Sequence, residues 1–71
     1  MNQDVFLITA IDMYNKSEKL ADEAYRTYHR LIDQTTKYAE SIWSLYLMHT
    51  HVSQAINDSI QLYENTQEEI Q

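Results

Sequence analysis

One seven-residue period of apolar positions runs through the whole chain. Stepping by seven from Leu7 gives Tyr14, Ala21, Tyr28, Thr35, Ile42, His49, Ile56, Tyr63 and Ile70. Three residues further on in each repeat lie Ala10, Ser17, Ala24, Leu31, Tyr38, Leu45, Val52, Ser59 and Thr66. A flanking row holds Ile11, Glu18, Tyr25, Ile32, Ala39, Tyr46, Ser53, Ile60 and Gln67. These rows form one stripe, wider than a strict two-position coiled-coil seam and suited to bundle packing. The opposite face reads Lys16, Lys19, Glu23, Arg26, Arg30, Asp33, Lys37 and Glu40, a solvated helix surface. Asp22–Arg26 and Asp33–Lys37 set an acid four residues before a base, each pair adding about 0.2–0.5 kcal/mol to a helix. The pattern predicts an all-α protein.

The same pattern offers several places to break. Val5 to Tyr14 is apolar on most sides and is expected to begin at Asp4 as N-cap. Asn15-Lys-Ser-Glu18 has the form of a capping box and would start a second helix after a kink. Gln34-Thr-Thr36 is the best turn candidate, because β-branched residues are mediocre helix formers and Thr can cap. Asn57-Asp-Ser59 is another, and 66–71 is polar and expected to fray. A turn at Gln34–Thr36 folds the chain into an antiparallel hairpin whose paired positions sum to roughly 70. Ile42–Met48 then faces Ala21, Ala24, Tyr25 and Tyr28, large against small. Val5–Tyr14 faces Ile56, Ile60, Leu62 and Tyr63, apolar against apolar. The unbroken register also fits one continuous helix about 100 Å long, which would need a partner along its length. Agreement at both ends favours the hairpin. The expected fold is therefore an all-α antiparallel helical hairpin, with a short three-helix bundle as its variant and coiled-coil-like packing. It is one domain over 1–71, with arms near 4–33 and 37–65.

Residues 41–57 carry no Asp, Glu, Lys or Arg, and the stretch is most apolar from Ile42 to Met48. A membrane span needs about 20 predominantly apolar residues, and Ser44, His49, Thr50, His51, Ser53 and Gln54 interrupt this one. A helix apolar nearly all round is usually covered on more than one face. In so short a chain the second cover is expected to come from another molecule. The candidate protein interface is Tyr38, Ile42, Trp43, Leu45, Tyr46, Leu47, His49, Val52 and Ile56. Tyr and Trp combine a large apolar body with a polar handle and are enriched at binding hot spots. His49 falls in the central row between Ile42 and Ile56, as an imidazole hydrogen-bonded at a helix contact or as a pH-sensitive contact.

The 71 residues contain no Gly, Pro or Cys. Few sharp turns are then available, which argues against a multi-stranded sheet. A scaffold of this size without disulfides usually relies on a metal, an oligomer or unusually good helix packing. The net charge of −6 is uneven: 1–37 hold six acids and five bases, and 38–71 hold five acids and no base. That balance argues against binding nucleic-acid phosphates, which requires a basic patch. Met1-Asn-Gln-Asp has no positive region before its apolar run, unlike a secretory signal, so cytoplasm is the expected setting.

No catalytic constellation is present. Phosphate loops need glycine, cysteine nucleophiles are absent, and no Glu-x-x-His occurs as in di-iron bundles. His49 and His51 sit two apart and point to nearly opposite sides of a helix. His29 and Asp33, four apart, read as a surface pair rather than metal ligands. No catalytic, cofactor-binding or metal-binding residue is therefore assigned.

In size and hairpin form the chain resembles the small co-chaperones and needle subunits of bacterial secretion systems. Trp43 near mid-chain is similar to the Trp of small secreted hairpins that carry Trp-x-Gly at the turn. Here Ser44 and Leu45 follow it, so no functional residue is carried across. The expectation is a non-enzymatic interaction subunit, a small acidic adaptor or co-chaperone bound to a protein partner or to itself. The alternatives are an acidic inhibitor imitating nucleic acid and a self-assembling coiled-coil subunit.

Overall fold

Two helices account for nearly the whole chain. The computed structural model describes the backbone of residues 2–70 and the side chains of residues 5–66. Helix α1 spans Asn2–Arg30 and α2 spans Lys37–Ile70. They lie against each other as an antiparallel hairpin, a rod of 55 × 17 × 13 Å. The all-α hairpin read from the pattern is the fold.

The chain reverses over residues 31–36 without a glycine, and no described residue has a positive φ. Side chains do the work that a glycine would otherwise do at a helix end. The Tyr28 carbonyl, left open where α1 stops, accepts from the Leu31 N–H at 3.2 Å and from Gln34 Nε2 at 3.3 Å. Asp33 Oδ1 accepts from the Thr35 N–H at 2.9 Å and the Thr35 hydroxyl at 2.6 Å, an Asx turn that tightens the loop. Thr36 then caps α2: its Oγ1 accepts from the Ala39 N–H at 3.3 Å and its carbonyl from the Glu40 N–H at 3.1 Å.

The other expected breaks are absent. Helix α1 continues through Asn15–Glu18 and α2 through Asn57–Ser59. Helix α1 starts at Asn2, ahead of Asp4, whose side chain lies outside the described residues, and it stops at Arg30 rather than near 33. Helix α2 reaches Ile70, and the fraying expected over 66–71 falls, beyond Thr66, on side chains outside the described residues. Of the expected ion pairs, Asp22–Arg26 forms at 2.9 Å, and Asp12–Lys16 adds a second at 2.8 Å. Asp33 is instead committed to the loop.

Each helix contributes a seam with alternating three- and four-residue steps. In α1 it is Leu7, Ala10, Tyr14, Ser17, Ala21, Ala24, Tyr28 and, just past the helix end, Leu31; in α2 it is Ala39, Ile42, Tyr46, His49, Ser53, Ile56, Ile60 and Tyr63. All sixteen are buried or half-buried. Matched in antiparallel order, every pair has residue numbers adding to 70. Ala24 meets Tyr46, Ala21 meets His49, Ala10 meets Ile60 and Ala39 meets Leu31, so large faces small at these four levels. The inter-helix contacts obey this register: Phe6–Tyr63, Glu18–Ser53, Tyr25–Tyr46 and Tyr28–Trp43 add to 69, 71, 71 and 71. Among the described residues the buried side chains are all small, namely Ala10, Ala21, Ala24, Ala39, Ser17 and Ser53. Small seam residues let the backbones approach, and the larger rings and aliphatics close the edges of the contact.

The wide stripe read from the sequence therefore resolves differently in the two helices. In α1 the row Ala10–Ser17–Ala24 turns inward and Ile11, Glu18 and Tyr25 are exposed. In α2 the roles exchange. Ala39, Tyr46, Ser53 and Ile60 turn inward, whereas Tyr38, Leu45, Val52 and Ser59 face outward.

Candidate functional site

The nine candidate interface residues separate into four groups. Ile42, Tyr46, His49 and Ile56 are half-buried on the seam between the helices. Trp43 is half-buried beside it, its ring 4.9 Å from both Tyr28 and Tyr46 and 6.5 Å from Tyr25. With His29, 4.4 Å from Tyr25, these rings form an aromatic cluster that clasps the loop end of the hairpin. Tyr38, Leu45 and Val52 are exposed together on one flank. Leu47 is exposed on the other side of α2, in a row with Glu40, Gln54 and Gln61.

The flank that carries Tyr38, Leu45 and Val52 extends further. One step outward on α2 come Ser41, Met48, Ala55 and Leu62, all exposed. Combined, the two rows read 38, 41, 45, 48, 52, 55, 59, 62, again with alternating steps of three and four. Helix α2 thus has a second seam, one residue ahead of the first and rotated by about 100°. Helix α1 contributes Phe6, Met13 and Leu20 to the same side of the hairpin, each 38–49 % exposed. The ring of Phe6 meets Tyr63 at 4.6 Å across that edge, whereas Tyr25 and Tyr28 meet Trp43 across the opposite one.

No charged residue lies in any of these rows. The opposite flank, by contrast, carries Glu18, Asp22 and Glu64. Single exposed apolar residues are ordinary on a protein surface, but on α2 the two rows together leave an uninterrupted uncharged face from Tyr38 to Leu62. On α1, by comparison, Lys16 and Glu23 alternate with Met13 and Leu20. The apolar content of Ile42–Met48 signalled α2, but Phe6, Met13, Leu20, Met48 and Leu62 were not among the candidate interface residues, and Met48 and Leu62, expected to face the other arm, are exposed. The spacing that reveals them is the second run of three- and four-residue steps, read one residue ahead of the first.

Two serines lie within this surface, and both have satisfied hydroxyls. Ser41 Oγ donates to the Lys37 carbonyl at 3.2 Å and Ser59 Oγ to the Ala55 carbonyl at 3.0 Å. Such back-bonded hydroxyls can be covered without leaving an orphan donor. A shallow depression beside Ser41, Leu45 and Met48 has Lys37 and Glu40 at its rim.

Chemistry of other kinds finds little to work with. Among the described residues no three His, Asp or Glu side chains come together as a metal site. No described helix is long and apolar enough to cross a membrane. Comparisons with protein-family models, with curated proteins and with solved structures give no match.

Proposed function

We propose that this protein is a non-enzymatic interaction subunit of the cytoplasm, a small helical-hairpin adaptor or co-chaperone that docks other helices on its uncharged flank. The observation that carries the reading is the second seam of α2, apolar and charge-free, exposed at Tyr38, Leu45, Met48, Val52 and Leu62. A hairpin whose own buried residues are all small has little core to spare, and covering this flank would add what the intramolecular seam lacks. The aromatic cluster around Trp43 belongs to this reading as a structural clasp that holds the loop end while the flank engages a partner.

A photo-reactive phenylalanine analogue in place of Tyr38 tests the proposal in the native extract, with the same analogue at Gln54 as the comparison. Gln54 is also exposed but lies on the other side of α2. Defined crosslinked products from position 38 and none from position 54 support the reading. Equal yields from both positions, or none from either, overturn it.

A further inference from the structure

We infer that the uncharged flank is occupied by a second copy of this chain, joined by an antiparallel α2–α2 contact with its two-fold axis level with residue 50. The inference rests on the flank being the docking face, and it goes on to name the occupant and the register.

The second seam of α2 is complementary to itself. Run antiparallel against its own copy with residue numbers adding to 100, it matches Tyr38 with Leu62, Leu45 with Ala55 and Met48 with Val52. Each of these matches is apolar, and the second sets a large side chain against a small one, as at the seam inside the hairpin. The two remaining positions, Ser41 and Ser59, then meet each other, so polar is matched with polar. Both hydroxyls already bond to their own helix, so the pairing buries no unmet donor. All eight positions are used and none is left over. A slip of one heptad in either direction breaks this agreement. With numbers adding to 93, Ser41 falls against Val52 and Leu62 meets the loop residue Leu31. With numbers adding to 107, Tyr38 runs past the end of the seam and Ser59 falls against Met48. Self-pairing by a two-fold axis requires such an agreement of a surface with itself, whereas a foreign partner does not.

Charge and area are both compatible with a copy. A chain of net charge −6 repels its like, but the α2 contact rows carry no charge from Tyr38 to Leu62. The acids Glu18, Asp22 and Glu64 lie on the far flank, and Lys37 and Glu40 stand at the rim. On α1, Lys16 and Glu23, of opposite sign, alternate with Met13, Leu20 and Thr27. The rim of the contact would set Ser44 near Asp58 and Lys37 near Asn65 of the second copy, with no acid facing an acid. The exposed parts of Phe6, Met13, Leu20, Tyr38, Leu45, Met48, Val52 and Leu62 come to an area on the order of 800 Å², the amount each partner contributes to a standard interface. The hairpin register also brings α1 to the right place. Position 50 of α2 stands level with Leu20 of α1, because their numbers add to 70. Leu20 therefore sits beside the proposed axis, flanked along α1 by Met13 and Thr27. The product is a four-helix bundle with two hairpins related by two-fold symmetry.

Single nitroxide labels at His51, Asp58 and Asn65, measured by pulsed electron resonance on the full chain, read the register directly. All three positions lie in one row at the rim, so their lateral offsets are alike. In the proposed dimer the axial separation between the two copies grows by about 3 Å per residue from position 50, giving about 3, 24 and 45 Å. A distance that lengthens steadily from 51 to 65 is the expected result. Three equal distances would mean parallel pairing, and no inter-chain distance at about 100 μM would mean a monomer; either overturns the inference. A monomer whose Tyr38 position still crosslinks to a different protein would leave the adaptor reading standing, so the two failures are distinguishable. As a second readout, Met48→Glu is expected to weaken dimerisation at least tenfold in sedimentation equilibrium with helicity unchanged, and Leu47→Glu to leave it as it was. Equal effects of the two variants contradict the proposed face.

Discussion

Ser53 reaches across the hairpin to Glu18, its hydroxyl 2.6 Å from Glu18 Oε2. Ser53 is 3 % exposed, and the same hydroxyl lies 3.0 Å from the Thr50 carbonyl of its own helix. One proton cannot serve both acceptors fully, and the shorter contact to a carboxylate is the stronger. This contact also accounts for the unbroken run of α1 through Asn15–Glu18. Ser17 is buried on the seam and Glu18, the acid that would close a capping box on Asn15, bonds across to Ser53 instead. In a double-mutant cycle of Ser53→Ala and Glu18→Gln, followed by urea unfolding, the coupling is expected to be about 1 kcal/mol. Independent effects of the two changes would assign the Ser53 hydroxyl to Thr50.

The seam depends on small residues at defined levels. Ala24 stands opposite Tyr46, and Ala39, fully buried, stands opposite Leu31. Ala24→Leu should overpack the contact and destabilise the hairpin by about 1–3 kcal/mol in urea unfolding. The exposed Ala55→Leu adds the same atoms outside this seam, and its effect on the isolated hairpin should stay within about 0.5 kcal/mol. Equal losses would contradict the register in which paired numbers add to 70.

The loop is expected to show its chemistry in acid. Hydrogen bonds from the Thr35 hydroxyl and then the Thr35 N–H hold the Asp33 carboxyl below its ordinary pKa of 3.8. The ionised form is the one the fold favours, so the unfolded chain takes up its proton first. The contribution of Asp33 is therefore complete above 3.8 and disappears as pH falls through the lower folded value. A carbon-detected titration of Asp33 should show the depressed value, and Thr35→Val should return it part of the way, leaving only the backbone donor. At the neighbouring cap, Thr36→Ala should cost about 1 kcal/mol of stability.

The hairpin was legible in the sequence because its seam uses two independent signals at once. The spacing of three and four marks each helix, and the alternation of large with small makes the two arms match about a single turn at Gln34–Thr36. The inward face of α2 was less legible. Hydrophobicity alone would turn Tyr38, Leu45 and Val52 towards α1, since the competing row contains Ala39 and Ser53. Close approach of two helices selects the smaller row, because Leu31 and Tyr28 already fill the space at that end. The loop also resets the phase: Leu31 and Ala39, the last and first seam positions, are eight residues apart rather than seven. A heptad carried straight through residues 31–36 therefore lands one row off in α2. That displacement turns Ala39, Tyr46 and Ser53 inward in place of Tyr38, Leu45 and Val52, whereas Ile42 stays on the row that runs unbroken from Leu7.

Leu45 and Leu47 provide the most direct test of the interaction account. They are 42 % and 43 % exposed on the same helix, so their burial within the hairpin cannot tell them apart. They differ in the side they face: Leu45 lies in the charge-free second seam, and Leu47 lies in the row with Glu40, Gln54 and Gln61. The measurement is the native mass of the assembly in extract for the natural protein, Leu45→Glu and Leu47→Glu, with helicity recorded by circular dichroism. Leu45→Glu is expected to leave the assembly and run as the free chain while remaining helical, and Leu47→Glu to stay at the natural mass. Loss of the assembly in both variants, or in neither, would contradict the interaction account.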